Sequence, residues 1–271
     1  MKKSGHPIGV FDSGVGGLTV LRALARLLPS ESFIYVGDTA RVPYGSKSPE
    51  AVRRFSLEIA LFFRRKGVKM MVTACNTASA LALSELRAFM SVPVLGVIEP
   101  GARAALASTR TGRVGVIGTE ATIRSQAYDE AIKRLDKTVR VFGRSCPLFV
   151  PLVEEGWLNH EVTQRVASLY LKPFLKHKID ALVLGCTHYP LLKSVLRRVV
   201  GRVELIDSAE ETAKAVRSRL EQDGLLLHGR KKGVLSYFSS DDPLKFERLG
   251  SRFMGEALPT VRRIQLGGID R

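Results

Sequence analysis

The sequence predicts an α/β fold of two similar lobes, each a mainly parallel sheet flanked by helices, with an active site in the cleft between them. Short apolar runs alternate with amphipathic segments, which is typical of parallel sheets covered by helices on both faces. The chain also resembles itself: IGVFDSG at 8–14 is echoed by VGVIGTE at 114–120, and VTACNT at 72–77 by VLGCTH at 183–188. Two echoes in the same order indicate an ancient duplication.

The first half of the chain alternates strands and helices. Strands are predicted at residues 8–11, 33–36, 68–73 and 92–97, and helices at residues 18–28 and 49–66. Ser48 is a good cap and Pro49 a good first residue for the second helix. Residues 37–48 form a polar loop, and Ala74-Cys75-Asn76-Thr77 is expected to open another helix.

The second half continues the same alternation. Strands are predicted at residues 113–117, 139–142, 181–184 and 203–206, and a helix from Asp207-Ser208 to about residue 220. The tail from Lys231 is predicted as a strand at 234–238, a turn at 239–243, a helix at 244–254 and a strand at 261–266. No Gly/Ser-rich linker marks a domain boundary, and residues 93–101 are the best candidate for a crossing between lobes.

Composition limits the class of protein. The 271 residues are 45% hydrophobic and 25% charged, which are globular proportions that exclude wholesale disorder. The longest apolar runs are strand-sized, so no membrane helix is expected. The start, MKKSGHP, lacks the apolar stretch of a signal peptide. We therefore expect a cytoplasmic protein without a membrane partner.

The charge balance raises the question of nucleic acid. The chain has 42 Lys and Arg against 26 Asp and Glu, a formal net charge of +16, and such an excess is the usual electrostatic footprint of nucleic-acid binding. The positive residues are spread along the chain in short runs, however, and aromatic residues for base stacking are few. We interpret most of them as solvated helix faces and keep nucleic-acid binding as a lesser alternative.

The three cysteines, Cys75, Cys146 and Cys186, form no C-x-x-C motif, so neither a disulfide framework nor a structural zinc site is expected. Cys75 and Cys186 end equivalent strands, where open parallel sheets bind ligands. Each is expected to open a helix, whose N-terminal N–H groups and dipole favour a thiolate. Such cysteines can also be inert buried residues, the role assigned to Cys146, which has no partner motif.

Two thiols on facing lobes suit the inversion of a stereocentre that carries a proton, because this needs a base on one face and an acid on the other. Other readings are weaker. DSGVGG lacks the Gly-Lys-Ser/Thr of a phosphate loop. Cys75, Cys186 and His188 lack a fourth metal ligand. A protease-like pair of Cys186 and His188 is disfavoured because i and i+2 at a helix start do not face each other.

Five motifs carry a resemblance to a known family: DSGVGGLTVL at 12–21, VPYGSKS at 42–48, ACNTAS at 74–79, FVPLVEEGW at 149–157 and LGCTHYPLL at 184–192. Together they resemble the glutamate racemases of the cofactor-independent aspartate/glutamate racemase superfamily. The paired ACNT and GCTH motifs are specific to that superfamily, and DSGVGG with VPYG narrows the resemblance to the glutamate branch. The motifs stand in family order between residues 8 and 220, and the match continues more loosely through SSDDPLKFERL.

The resemblance implies a homodimer that interconverts L- and D-glutamate without pyridoxal phosphate, metal or nucleotide, and so supplies D-glutamate for peptidoglycan. It also implies a first lobe of residues 1–98 plus 208–271, carrying Cys75, and a second lobe of residues 99–207, carrying Cys186. The alternatives are a related racemase for aspartate or another amino acid, or a decarboxylase or isomerase on the same scaffold.

The resemblance also implies roles for single residues. Cys75 takes the proton from D-glutamate and Cys186 takes it from L-glutamate, with Asp12 beside the first thiol and His188 beside the second. Glu154 matches a third assisting carboxylate. The residues expected to hold the substrate are Asp12, Ser13, Tyr44, Gly45, Asn76, Thr77, Thr119, Thr122, Thr187 and His188.

The types of these residues fit glutamate independently of the resemblance. Hydroxyl and amide groups, together with helix N-terminal N–H groups, can hold carboxylates without Lys or Arg. Asp12 can face the substrate ammonium as well as a thiol. Tyr44 is interpreted as a wall of the pocket, Trp157 as a packing residue, and the Lys and Arg residues as mostly surface.

Overall fold

The computed structural model describes residues 3–229 and 231–268. Within them, the strands are β1 (Ile8–Asp12), β2 (Phe33–Gly37), β3 (Met70–Thr73), β4 (Val94–Gly96), β5 (Arg113–Gly118), β6 (Arg140–Ser145), β7 (Ala181–Gly185), β8 (Glu204–Ile206), β9 (Leu235–Ser239) and β10 (Val261–Arg263). The helices are α1 (Leu18–Leu27), α2 (Pro49–Lys66), α3 (Asn76–Leu81), α4 (Leu83–Phe89), α5 (Ile98–Ser108), α6 (Glu120–Arg124), α7 (Ala127–Leu135), α8 (Phe149–Glu154), α9 (Glu161–Lys176), α10 (Lys193–Val200), α11 (Ser208–Gln222) and α12 (Pro243–Met254).

The strands form two sheets. One has six strands in the order β10-β9-β2-β1-β3-β4, and the other has four in the order β6-β5-β7-β8. Each pairing between these strands is parallel. The predicted class, α/β with two mainly parallel sheets flanked by helices, is confirmed. The prediction that the tail belongs to a sheet is confirmed as well, because β9 and β10 extend the first sheet beside β2.

The central strands are apolar because both of their faces are covered. All residues of β1, β3 and β7 are buried, which explains why they read as continuous hydrophobic runs rather than as alternating ones. The predicted start of α2 is also observed. The side chain of Ser48 accepts a hydrogen bond from the backbone N–H of Ala51 at 3.3 Å, and Pro49 is the first helical residue.

The first sheet draws its strands from both ends of the chain, and the second takes β5 to β8 from the middle. Helices α5 and α11 lie where the chain passes between these parts. Helix α11 packs against α1 as well as against α5, and α5 packs against α7 and β7. The division into lobes at 98/99 and 207/208 stays a prediction, and these helices are the elements on which it depends.

Three local predictions were wrong. The last strand ends at Arg263 rather than at residue 266, and only Val261 in it is buried. Cys186 does not open an α-helix. Residues 187–188 turn into a 3-10 helix, Tyr189–Leu192, which has Pro190 in its first turn. Trp157 is 45% exposed and stacks on His160, since it follows the turn at Gly156, whose φ is +79°.

The prediction that Lys and Arg residues lie mostly at the surface has an exception at Lys69. Lys69 and Glu31 are not surface residues: their side chains are 0% and 1% exposed, and Lys69 Nζ lies 2.5 Å from Glu31 Oε2. Lys69 also donates to the carbonyls of Ser4 and Leu225. This buried ion pair therefore joins the chain before β1, the turn before β2 and the segment after α11. No helix in the described residues is both long and apolar enough to cross a bilayer.

Candidate active site

A buried cavity lies at the carboxyl ends of strands from both sheets. It brings together both thiols and most of the predicted substrate-holding residues. Its lining consists of Ser13, Val42, Pro43, Tyr44, Gly45, Cys75, Asn76, Thr77, Thr119, Val150, Cys186, Thr187 and His188. Asp12 and Thr122 are bonded to lining residues rather than lining the cavity themselves, and Glu154 reaches it through His188.

Cys75 is placed by the end of β3 and caps α3. Its Sγ accepts a hydrogen bond from the N–H of Ala78 at 3.5 Å and donates one to Ser13 Oγ at 3.8 Å. Burial, followed by the negative charge of Asp12, raises the pKa of this thiol to about 12, although the contacts with Ala78 and Ser13 oppose the rise. The thiolate-favouring effect expected of a helix start is therefore outweighed by desolvation.

Asp12 ends β1 and is fully buried. One carboxylate oxygen accepts from the N–H of Gly14 at 3.0 Å, and the other accepts from Thr187 Oγ1 at 3.3 Å. Burial raises the pKa of Asp12, and the nearby His188 opposes that rise. Since Thr187 follows β7 of the second sheet, this hydrogen bond joins the DSGVGG motif of the first sheet to the GCTH motif of the second.

The second thiol has a cation beside it. His188 Nε2 lies 3.1 Å from Glu154 Oε1, and the ring of Phe253 meets the imidazole edge-on at 5.2 Å. Burial opposes the charging of His188, but Cys186 and Glu154 together outweigh it and raise the pKa of His188 to about 10. The same pairing lowers the pKa of Glu154, although burial opposes this effect. At neutral pH, His188 is therefore an imidazolium held by a carboxylate.

Cys186 and His188 both line the cavity, and both precede the 3-10 helix rather than lying in an α-helix. Glu154 is hydrogen-bonded to the His188 ring, whereas His188 Nδ1 is buried without a partner among the described residues. The expectation that Cys186 and His188 do not form a protease-like pair stays a prediction.

Hydroxyl and amide groups form the opposite part of the lining. Thr77 Oγ1 lies 2.9 Å from Thr119 Oγ1 and 3.2 Å from Thr122 Oγ1, and the last two are 2.9 Å apart. Gly45 fits against this cluster so closely that a Cβ there would lie 2.5 Å from the Cβ of Thr119. Tyr44 forms a buried wall, as predicted.

Several contributors were missed because their contacts are distant in sequence. Asp38 fixes the VPYG loop by accepting from Tyr44 Oη and, at 2.7 Å, from Ser240 Oγ of the tail. Phe253 reaches His188 from α12. Tyr128 donates to Asn76 Oδ1 at 2.6 Å. None of these pairings has a local sequence signal, although Asp38 stands directly after a buried strand, where ligand-binding residues are common.

The arrangement can move a proton between two buried groups. Two thiols meet at one cavity, with a carboxylate near the first and an imidazolium near the second, so acid and base are both available. Within residues 3–229 and 231–268, no group of three or more His, Cys, Asp or Glu side chains is arranged to hold a metal ion.

The chain is similar to known racemases over most of its length. The family model for Asp/Glu/hydantoin racemases matches residues 8–216. The chain is 56% identical to a glutamate racemase of Geobacter metallireducens over 260 residues, 96% of each chain. It is 49% identical to one of Neisseria meningitidis, with 97% of each chain covered.

Solved structures of glutamate racemases have a fold similar to that of this chain. The fold is similar to that of a glutamate racemase isoform from Bacillus anthracis, with a TM-score of 0.93 and 40% identity, covering 97% of this chain and 98% of the other. It is also similar to the glutamate racemase of Francisella tularensis solved with D-glutamate, with a TM-score of 0.91 and 37% identity over the same shares.

Proposed function

Because the chain belongs to the glutamate racemases of the Asp/Glu/hydantoin racemase family, we propose that it interconverts L- and D-glutamate by passing the α-proton between Cys75 and Cys186. The observation that carries the mechanism is that each sheet contributes one buried thiol to a single cavity. A racemase must reach both faces of the same carbon, and groups on facing walls meet that requirement.

In the direction from D- to L-glutamate, the thiolate of Cys75 takes the proton from Cα, and the electron pair left behind is delocalised into the α-carboxylate. The S–H of Cys186 then delivers its proton to the opposite face. The step ends with a protonated Cys75 and a thiolate at Cys186. The reverse direction uses the same groups with acid and base exchanged.

Cys75 needs assistance because its pKa is raised to about 12 by burial and then by Asp12. Asp12 is the carboxylate whose charge already acts on this thiol, and burial raises its own pKa, which makes it a stronger base than an exposed Asp. In our proposal it receives the thiol proton when substrate binds. The substrate ammonium, brought close to both groups, stabilises the resulting thiolate.

His188 and Glu154 assist the other thiol. An imidazolium beside Cys186 stabilises negative charge on the sulfur, and the Glu154 carboxylate keeps the imidazole protonated. The cavity is small and buried, so water is largely excluded once substrate fills it. Electrostatic interactions gain strength in such a site.

Hydroxyl and amide groups hold the two substrate carboxylates in this proposal. The residues assigned to this task are Ser13, Asn76, Thr77, Thr119 and Thr187, with support from Tyr44, Gly45 and Thr122. The lining residues include no Lys or Arg, so backbone N–H groups at the starts of α3 and of the segment after Cys186 supply the remaining donors. We place the enzyme in the cytoplasm as a homodimer that supplies D-glutamate for peptidoglycan.

The test is racemisation followed by circular dichroism in D₂O, starting from either enantiomer, with aspartate as a second substrate. We expect the optical signal of glutamate to decay, deuterium to enter at Cα, and turnover to fall at least about a thousandfold in Cys75→Ser and in Cys186→Ser. Cys146→Ser is the matched control, because Cys146 is buried outside the cavity. Decay with aspartate alone would overturn the substrate, and retained turnover in either cavity variant would overturn the mechanism.

A further inference from the structure

We propose that Tyr128 is a positioning residue: from the second sheet's side of the cleft, it holds the Asn76 amide in the orientation that a substrate carboxylate requires. The inference rests on the function proposed above and names a residue that none of the motifs contains. Tyr128 lies on α7, which follows the β5–α6 segment of the second sheet, whereas Asn76 lies directly after Cys75 of the first sheet.

The contact between the two residues is short and buried. The Tyr128 hydroxyl donates to Asn76 Oδ1 at 2.6 Å, and the two side chains belong to residues that are 3% exposed. Asn76 also lines the cavity, whereas Tyr128 does not. Tyr128 therefore acts on the cavity only through another side chain.

Two glycines leave the space that the ring of Tyr128 occupies. A Cβ on Gly185 would lie 3.1 Å from Tyr128 Cε2, and a Cβ on Gly101 would lie 3.2 Å from Cε1. Both distances are tighter than ordinary packing allows, so the absence of side chains there admits the ring. Gly185 immediately precedes Cys186. A single aromatic side chain thus contacts the neighbour of each thiol, one through its ring and the other through its hydroxyl.

The effect of Tyr128 on substrate binding depends on which atom of the Asn76 amide accepts its hydrogen bond. A side-chain amide carries an oxygen that only accepts and a nitrogen that only donates. When the phenol donates to the oxygen, the amide nitrogen is the atom left to face the cavity, and a carboxylate accepts hydrogen bonds only. Burial, the largest influence on the Tyr128 hydroxyl, raises its pKa, so it stays a donor throughout the range in which the enzyme is assayed.

The decisive experiment is a double-mutant cycle with Tyr128→Phe and Asn76→Ala, assayed for racemisation of both enantiomers. Tyr128→Phe keeps the ring and removes only the hydroxyl. We expect KM to rise about tenfold for both enantiomers, with kcat changed less than about threefold, because one orienting hydrogen bond of substrate binding is lost. In the Asn76→Ala background the same substitution should change KM less than about twofold.

The control is Tyr170→Phe, which removes a hydroxyl that accepts one hydrogen bond from the N–H of Leu148. Tyr170 lies in the same half of the chain but does not line the cavity. It should leave KM and kcat unchanged. The inference would be overturned if the wild type is active but Tyr128→Phe leaves KM unchanged. It would also be overturned if the effects of the two substitutions on KM multiply. A wild type without racemisation would instead overturn the proposed function.

Discussion

Gly16 offers the sharpest test of how the two motifs meet. It lies in the DSGVGG loop after β1, and a Cβ there would lie 2.3 Å from Thr187 Oγ1, 2.6 Å from His188 Nδ1 and 2.8 Å from His188 Cε1. These atoms cannot move away freely, because Thr187 is hydrogen-bonded to Asp12 and His188 to Glu154. Gly16→Ala must therefore displace the residues that follow Cys186.

The magnitude follows from this geometry. Overpacking of a tight interior costs about 1–3 kcal/mol of unfolding free energy. Displacing a catalytic group by about 1 Å costs roughly a hundredfold in rate. We therefore expect kcat/KM in Gly16→Ala to fall about a hundredfold in both directions, while the melting temperature falls only by several degrees. Both quantities are measured by circular dichroism on the same preparation.

Gly14→Ala is the matched control from the same loop. A Cβ at Gly14 meets only Val42 Cγ2, at 3.4 Å, which is an ordinary contact. This variant should keep its rates within about threefold of wild type, since it displaces no group of the site. Wild-type rates in Gly16→Ala, or equal losses in the two variants, would refute the reasoning from close approach.

Three further predictions concern stability, pH and the hydrogen bond across the cleft. Lys69→Met leaves Glu31 buried without its cation, so the unfolding free energy should fall by about 3–5 kcal/mol in urea titrations; adding Glu31→Gln should recover part of that loss, and no loss in the single variant would contradict a buried pair. The pKa of His188 is raised from an ordinary 6.5 to about 10, so its stabilising contribution is fully present below pH 6.5 and is lost as pH rises toward 10; the stability advantage of wild type over His188→Asn should shrink over that interval, and a constant difference would count against the assignment. Thr187→Val removes the hydroxyl that donates to Asp12, so kcat/KM should fall about tenfold, whereas Thr187→Ser keeps the hydroxyl and should stay near wild type; equal losses in the two variants would assign the effect to packing.

Local patterns predicted what depends on neighbours in sequence. Hydrophobic runs identified the strands, Ser48 and Pro49 identified the start of α2, and the repeated cysteine motifs identified two sites at strand ends. Each of these signals lies within a few residues of the feature it predicts. The repeat of the cysteine motifs, together with the tendency of parallel sheets to bind ligands at the carboxyl ends of their strands, predicted both thiols at one cleft.

The failures depend on contacts that no local pattern contains. Lys69 was expected at the surface with the other lysines, and its partner Glu31 is distant in sequence. The contact of the Tyr128 hydroxyl with Asn76, 52 residues away, likewise has no local signal. The α-helix expected directly after Cys186 by analogy with Cys75 is a turn and a 3-10 helix instead.

The surroundings of the two thiols also differ, and this difference bears on the proposed chemistry. The two thiols occupy equivalent positions in the repeat, yet their neighbours carry opposite charge: Asp12 acts on Cys75, and the imidazolium of His188 stands beside Cys186. A two-thiol racemase needs one sulfur protonated while the other serves as base. Identical surroundings would give both thiols the same preference and leave one of the two tasks unfilled. Burial and then Asp12 raise the pKa of Cys75, which favours its protonated form, whereas the positive charge of His188 lies near Cys186. In the proposed mechanism, this difference between the neighbours of the two thiols is what separates the acid from the base.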